Sequence, residues 1–170
     1  MLCLNWTPVP FLAFALASLV AEPAAIPDIP VSAPAGTNRV TAGAAIQPAK
    51  GSPGEVVTVF VKVRIASGHW IYALEDSGSS SLPTSLATPS GSALRPTEHW
   101  RGPEPKGKED GSRIYKGEAL FQRRFVIEPG ATEALTKLPL TLTCQVCNEA
   151  LCWPPETISL EPMLKIVRSR

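Results

Sequence analysis

Neither a block of like charge nor a membrane-length apolar run organises this 170-residue chain. Sixteen Lys and Arg stand against fifteen Asp and Glu, a formal net charge of +1, and the basic residues gather into no patch. The electrostatic footprint of a nucleic-acid-binding domain is therefore missing. Aromatics are scarce at 6%, no internal repeat is visible, and no stretch carries a convincing helical period. Prolines, in contrast, number 18. An interior proline removes a helical hydrogen bond and clashes with the preceding turn, so this count belongs to loops, edge strands and linkers. One domain with a single core is the expectation for this length, and its composition points to a loop-rich, mostly β fold.

Pro8 to Ala21 is almost entirely apolar, yet shorter than the roughly 20 residues that cross a bilayer as a helix. Small residues at Ala15-Leu16-Ala17 and Ala21 suit a cleavage site, although no Lys or Arg precedes the run. Residues 1–21 are expected to be a signal peptide or N-terminal anchor, and the protein to be exported. Residues 22–50 are Pro/Ala-rich with few large apolar side chains, which predicts a tether or loosely held leader, with room for a short strand around Arg39 to Ala42, before a domain spanning 51–170.

Within that domain, Glu55 to Ala66 alternates Val57, Val59, Val61, Val63 and Ile65 with Thr58, Phe60, Lys62 and Arg64. A period of two built from β-branched residues predicts a strand with one buried face. Phe121, Phe125 and Ile127 share a face of a second strand, with Arg123 placed at a bend or bulge. Leu138, Leu140, Leu142, Cys144 and Val146 alternate in a third, and Ile158, Leu160, Leu164 and Ile166 in a last strand over 157–167. Ser-, Gly- and Pro-rich passages at 75–92 and 95–112 predict long loops. Several amphipathic strands with turn signals and no helix predict an all-β, antiparallel β-sandwich.

After loss of a signal bearing Cys3, three cysteines remain: Cys144, Cys147 and Cys152. Cys147 and Cys152 bracket four residues, a turn short enough to close a disulfide, and Pro154-Pro155 steers the chain into the last strand. On spacing alone this pair is equally a loop staple or a redox couple. Cys144 and Cys147 face opposite sides of a regular strand, which assigns Cys144 to the core. The spacing Cys-x2-Cys-x4-Cys, with His69 or His99 as a fourth ligand, also allows a zinc site, but opposite-facing strand positions do not converge on a tetrahedral centre. No metal is expected.

The stretch Gln145-Val146-Cys147-Asn148-Glu149-Ala150-Leu151-Cys152-Trp153-Pro154-Pro155-Glu156-Thr157 resembles the active loop of DsbD-type thiol:disulfide interchange proteins, in their N-terminal periplasmic domain, also described as a disulfide-bond corrector domain. Ser67-Gly68-His69-Trp70-Ile71-Tyr72, Leu82-Pro83-Thr84-Ser85-Leu86, Trp100 and Ile114-Tyr115 follow the same order along the chain. The resemblance implies an immunoglobulin-like sandwich with a catalytic pair, Cys147 and Cys152, and no cofactor. By position, Cys152 forms the mixed disulfide with partners and Cys147 resolves it. It further implies a thioredoxin-like electron donor and periplasmic disulfide-containing acceptors. Family members cap the pair with a loop. The matching stretch, 106–115, reads Gly-Lys-Glu-Asp-Gly-Ser at its centre and has no phenylalanine, which leaves Tyr72, Tyr115 and Trp153 as shielding candidates. A counterpart of the family's membrane-embedded carrier or thioredoxin-like domain is not expected here, and the reductant is expected to be a separate protein. The rival expectation is a non-catalytic, immunoglobulin-like binding module whose disulfide only fixes a loop.

Overall fold

The computed structural model describes residues 37–74 and 82–168. The expected signal or anchor and the first part of the leader lie outside them. In chain order the strands are β1 (Val40–Gln47), β2 (Lys50–Gly51), β3 (Val56–Ile65), β4 (Trp70–Tyr72), β5 (Ser85–Ala87), β6 (Leu94–Pro96), β7 (Lys106–Gly107), β8 (Arg113–Tyr115), β9 (Glu118–Ile127), β10 (Ala134–Lys137), β11 (Leu140–Cys144), β12 (Val146–Cys147), β13 (Glu156–Leu160) and β14 (Met163–Ile166). No helix occurs among the described residues. The expected all-β, immunoglobulin-like sandwich forms, antiparallel except for the short β2–β14 pair.

β3 is central because its alternation is so regular. Val57, Val59, Val61, Val63 and Ile65 are all buried, each contributing about 1.5–3 kcal/mol by leaving water. One edge of β3 pairs with β9 from Val56↔Val126 to Arg64↔Glu118, and β6 extends the sheet beyond β9. That register is continuous, so the bulge expected near Arg123 is absent. Arg123 instead donates through Nε to the Glu98 carbonyl, with its guanidinium 5.6 Å from the Phe125 ring centre and 5.9 Å from that of Trp100. The aromatic rings accommodate the cation without displacing the strand.

The other edge of β3 corrects the expected leader. β1 pairs with it over eight positions, from Val40↔Ile65 to Gln47↔Thr58, and Val40, Ala42 and Ile46 are buried. Residues 40–50 therefore belong to the sandwich. Their Ala and Gly have weak strand propensity, so β1 is held by its partner's backbone and not by a pattern of its own.

Three shorter sheets face this one: β10-β14-β2, β13-β11-β5 and β12-β4-β8-β7. The last strand expected from sequence is two strands. β13 pairs with β11 and β14 with β10, and the break falls at Pro162, whose carbonyl accepts Leu138 N–H at 2.9 Å. Phe121 and Phe125 from the long sheet share one core with Leu140, Leu142, Ile158 and Leu164. The passage 97–105 runs close over that core. A Cβ on Gly102 would lie 2.9 Å from the Phe121 ring and from the Tyr115 hydroxyl, so the chain passes there only as glycine.

Candidate functional site

The sheet β12-β4-β8-β7 has two working faces because side chains alternate. Cross-strand partners share a face. Val146 opposes Ile71, and Ile71 opposes Tyr115; all three belong to the main core. Cys147 opposes Trp70, and Tyr72 opposes Ile114; these four make a separate small cluster on the other face. The inner face thus ties the sheet to the sandwich while the outer face is free to build a site.

Cys147 and Cys152 form a disulfide across directly opposed positions of a tight hairpin, with Cα atoms 4.0 Å apart. Asn148 shapes its turn. Its N–H bonds Leu151 O at 2.9 Å, and its Oδ1 accepts the N–H groups of Ala150 and Leu151, each at 2.9 Å. This is the side-chain turn mimicry for which asparagine is suited. Below the cysteines, Trp153 N–H donates to Val146 O at 2.9 Å, and Gln145 Nε2 to Trp153 O at 3.2 Å.

The two cysteines differ sharply in exposure. Cys147 is 0% exposed, among Trp70, Tyr72 and Ile114. Cys152 is exposed, beside a Leu151 that is itself 50% exposed. The Tyr72 hydroxyl lies 3.7 Å from Cys147 Sγ and 3.9 Å from Cys152 Sγ. Neither sulfur carries a hydrogen in the disulfide, so the hydroxyl is the donor. Thr84, itself buried, donates its hydroxyl to the Tyr72 carbonyl and its N–H to that of Ala73, fixing the end of β4.

The hairpin between β7 and β8 roofs this outer face. Asp110 accepts the Ser112 N–H and hydroxyl, which holds its carboxyl below the usual range; Lys108 N–H bonds Ser112 O at 2.9 Å. Lys108 Nζ sits 3.8 Å from the centre of the Trp70 ring, and Lys116 Nζ 5.2 Å from it. An ammonium over an indole is an attractive pairing. Glu149 of the cysteine hairpin and Gly107–Asp110 of the roof line one groove.

Of the shielding candidates, Tyr72 touches both sulfurs. Tyr115 lies on the inner face, edge-on to Phe121 at 5.3 Å, because it is one residue out of phase with Ile114. Trp153 packs between the His69 ring, 5.3 Å away, and the Arg39 guanidinium, 4.6 Å from its centre. Arg39 is tied in turn to Glu156 at 3.3 Å, so Trp153 anchors the base of the cysteine hairpin. Trp70 and Ile114 stand in segments that carry the family resemblance but were not expected at the site, and neither was Lys108. Trp70 lies two residues before Tyr72 and shares its face by strand parity; Ile114 and Lys108 depend on a register that no sequence signal announces.

Cys144 is free and buried in the main core, on the far side from Cys147. Burial, aided by the negative charge of Glu156, pushes its thiol up to about 12, so it stays protonated. His69 Nδ1 lies 2.9 Å from Ser67 O. Among the described residues no three of His, Cys, Asp or Glu converge on a possible metal position, and no helix is long and apolar enough to cross a membrane.

Comparison with known proteins matches residues 37–163 to the family described as thiol:disulfide interchange protein DsbD, N-terminal. No curated protein sequence matches the chain. Among solved structures, the N-terminal domain of Neisseria meningitidis DsbD in the reduced form is similar at 23% identity and a TM-score of 0.44, covering 65% of this chain and 77% of that one. The N-terminal periplasmic domain of ScsB from Proteus mirabilis is similar at 16% identity and a TM-score of 0.49, covering 75% of this chain. This chain spans 49% of that domain's length.

Proposed function

The chain belongs to the family of DsbD N-terminal domains, and from that membership we propose that it is an exported thiol–disulfide exchange domain working through Cys147 and Cys152. It takes reducing equivalents from a thioredoxin-like donor and passes them to disulfide-containing proteins of the cell envelope. The observation that supports this most is the unequal exposure of the two sulfurs' residues. A donor thiolate reaches Cys152 at the hairpin tip and breaks the disulfide, leaving the electron pair on Cys147. The donor's second thiol then resolves the mixed disulfide, and two electrons have entered with two protons. In the forward step the Cys152 thiolate attacks an acceptor disulfide, and Cys147 displaces the reduced acceptor as the internal disulfide returns. Tyr72, Trp70 and Ile114 shield the buried member, and the Lys106–Ser112 hairpin covers them.

One observation favours a non-catalytic module instead: Cys147 is fully buried in its own small apolar cluster, as a stapling cysteine would be. Trapping separates the two. In cells producing the Cys147→Ala protein, Cys152 should accumulate mixed disulfides with envelope proteins, including one of thioredoxin-like fold. The Cys152→Ala protein should accumulate none. Absence of adducts from both proteins would favour the stapled module.

A further inference from the structure

A thiolate is a poor occupant of an apolar pocket, yet the exchange proposed above requires one at Cys147. When a donor thiolate attacks Cys152, the bond that breaks sends its electron pair into the cluster of Trp70, Tyr72 and Ile114, where Cys147 is fully buried. Desolvation raises the energy of a charge left there without a hydrogen-bond partner. In this small cluster the hydroxyl of Tyr72 is the polar group in contact with the sulfurs, 3.7 Å from Cys147 and 3.9 Å from Cys152.

We propose that Tyr72 is a catalytic residue of the exchange: its hydroxyl donates a hydrogen bond to whichever sulfur becomes the thiolate. The inference rests on the exchange reading and adds to it the group that makes the buried sulfur a competent leaving group. The near-equal distances are what such a role needs. Cys147 carries the charge when the donor attacks, and Cys152 carries it when the mixed disulfide is resolved, and one donor placed between them serves both steps without moving. The hydroxyl supplies a charge-assisted hydrogen bond, roughly twice as strong as a neutral one. The Trp70 indole N–H is a second donor in the same cluster, buried and without a partner while the disulfide is closed. The Thr84 hydroxyl on the Tyr72 carbonyl and the β4–β8 pairing hold the ring in place.

The test is Tyr72→Phe, which keeps the ring and removes only the donor. Reduction of the Cys147–Cys152 bond by dithiothreitol is followed by stopped flow, and alkylation of the reduced protein is followed against pH. Loss of a hydrogen bond to a charged group predicts reduction slower by about 10-fold or more, with the alkylation midpoint moved to higher pH. The chain has two tyrosines, so biosynthetic replacement of tyrosine by the more acidic 3-fluorotyrosine gives a second measurement that deletes nothing: it should move the midpoint to lower pH. A Phe protein that reduces and alkylates like the wild type, or a fluorinated protein with an unmoved midpoint, overturns the role of Tyr72 while leaving the exchange reading intact. A wild-type disulfide that dithiothreitol does not open overturns both.

Discussion

The proposed exchange requires the domain to hold its fold in both oxidation states, and the cost of opening the disulfide can be worked out from the chain. Cys147 and Cys152 are five positions apart. For so short a loop, the chain-entropy relation gives the crosslink about 2 kcal/mol of stabilisation, well below the bond that joins distant strands. The sheet bearing the pair is also tied to the sandwich by Ile71, Tyr115 and Val146, which lie in the main core and not beside the disulfide. Reduction should therefore leave a folded protein. Against a typical domain stability of about 5–15 kcal/mol, a loss of about 2 kcal/mol lowers the thermal midpoint by roughly 6–12 °C. Urea denaturation with and without dithiothreitol, followed by far-ultraviolet circular dichroism, measures this. Unfolding of the native protein by reductant alone, or a loss above about 5 kcal/mol, would mean that the small cluster depends on the bond, and the reasoning would fail.

Three further outcomes follow from the same structure. In Cys147→Ala the remaining Cys152 should alkylate at least about 10-fold faster than Cys147 does in Cys152→Ala, since thiolate access governs reactivity; equal rates under native conditions would contradict the asymmetry. For Cys144 the folded thiol is pushed up to about 12 against an ordinary 9.0. The unfolded chain thus loses that proton first, and its contribution to stability is intact below pH 9 and lost as pH rises towards 12. Cys144→Ala should weaken the alkaline decline in urea midpoint, and an unchanged slope would show that another group is responsible. Finally, a chain starting at Gly51 loses β1 and the buried Val40 and Ile46, about 3–6 kcal/mol of burial. It should be unfolded or aggregated by circular dichroism and gel filtration where a chain starting at Thr37 is folded.

The sequence announced those parts in which one strand's own side chains decide its state. The valines of β3 specify a buried face without help from neighbours, and the core placement expected of Cys144 is what forms, although the one strand expected through Cys144 and Val146 is two, β11 and β12, in different sheets. What escaped was set between strands. β1 reads as linker because Ala42, Gly43, Ala44 and Ala45 carry no strand preference, and only pairing with β3 makes them extended. Tyr115 and Ile114 are adjacent, and the β4–β8 register alone decides that Ile114 faces the disulfide. The stretch matching the family's cap, 106–115, carries no phenylalanine. Lys108 lies over Trp70 instead, a pairing visible only once the hairpin is folded.

Whether the Cys147–Cys152 bond is made and broken in function is read from its equilibrium potential. Purified protein is equilibrated with defined ratios of reduced and oxidised dithiothreitol or glutathione, and the free thiols of Cys147 and Cys152 are trapped and counted by mass spectrometry. A potential above roughly −300 mV, in the range of couples that exchange with thioredoxin-like proteins, is the predicted result. A potential well below that value would mark the bond as structural and contradict the account.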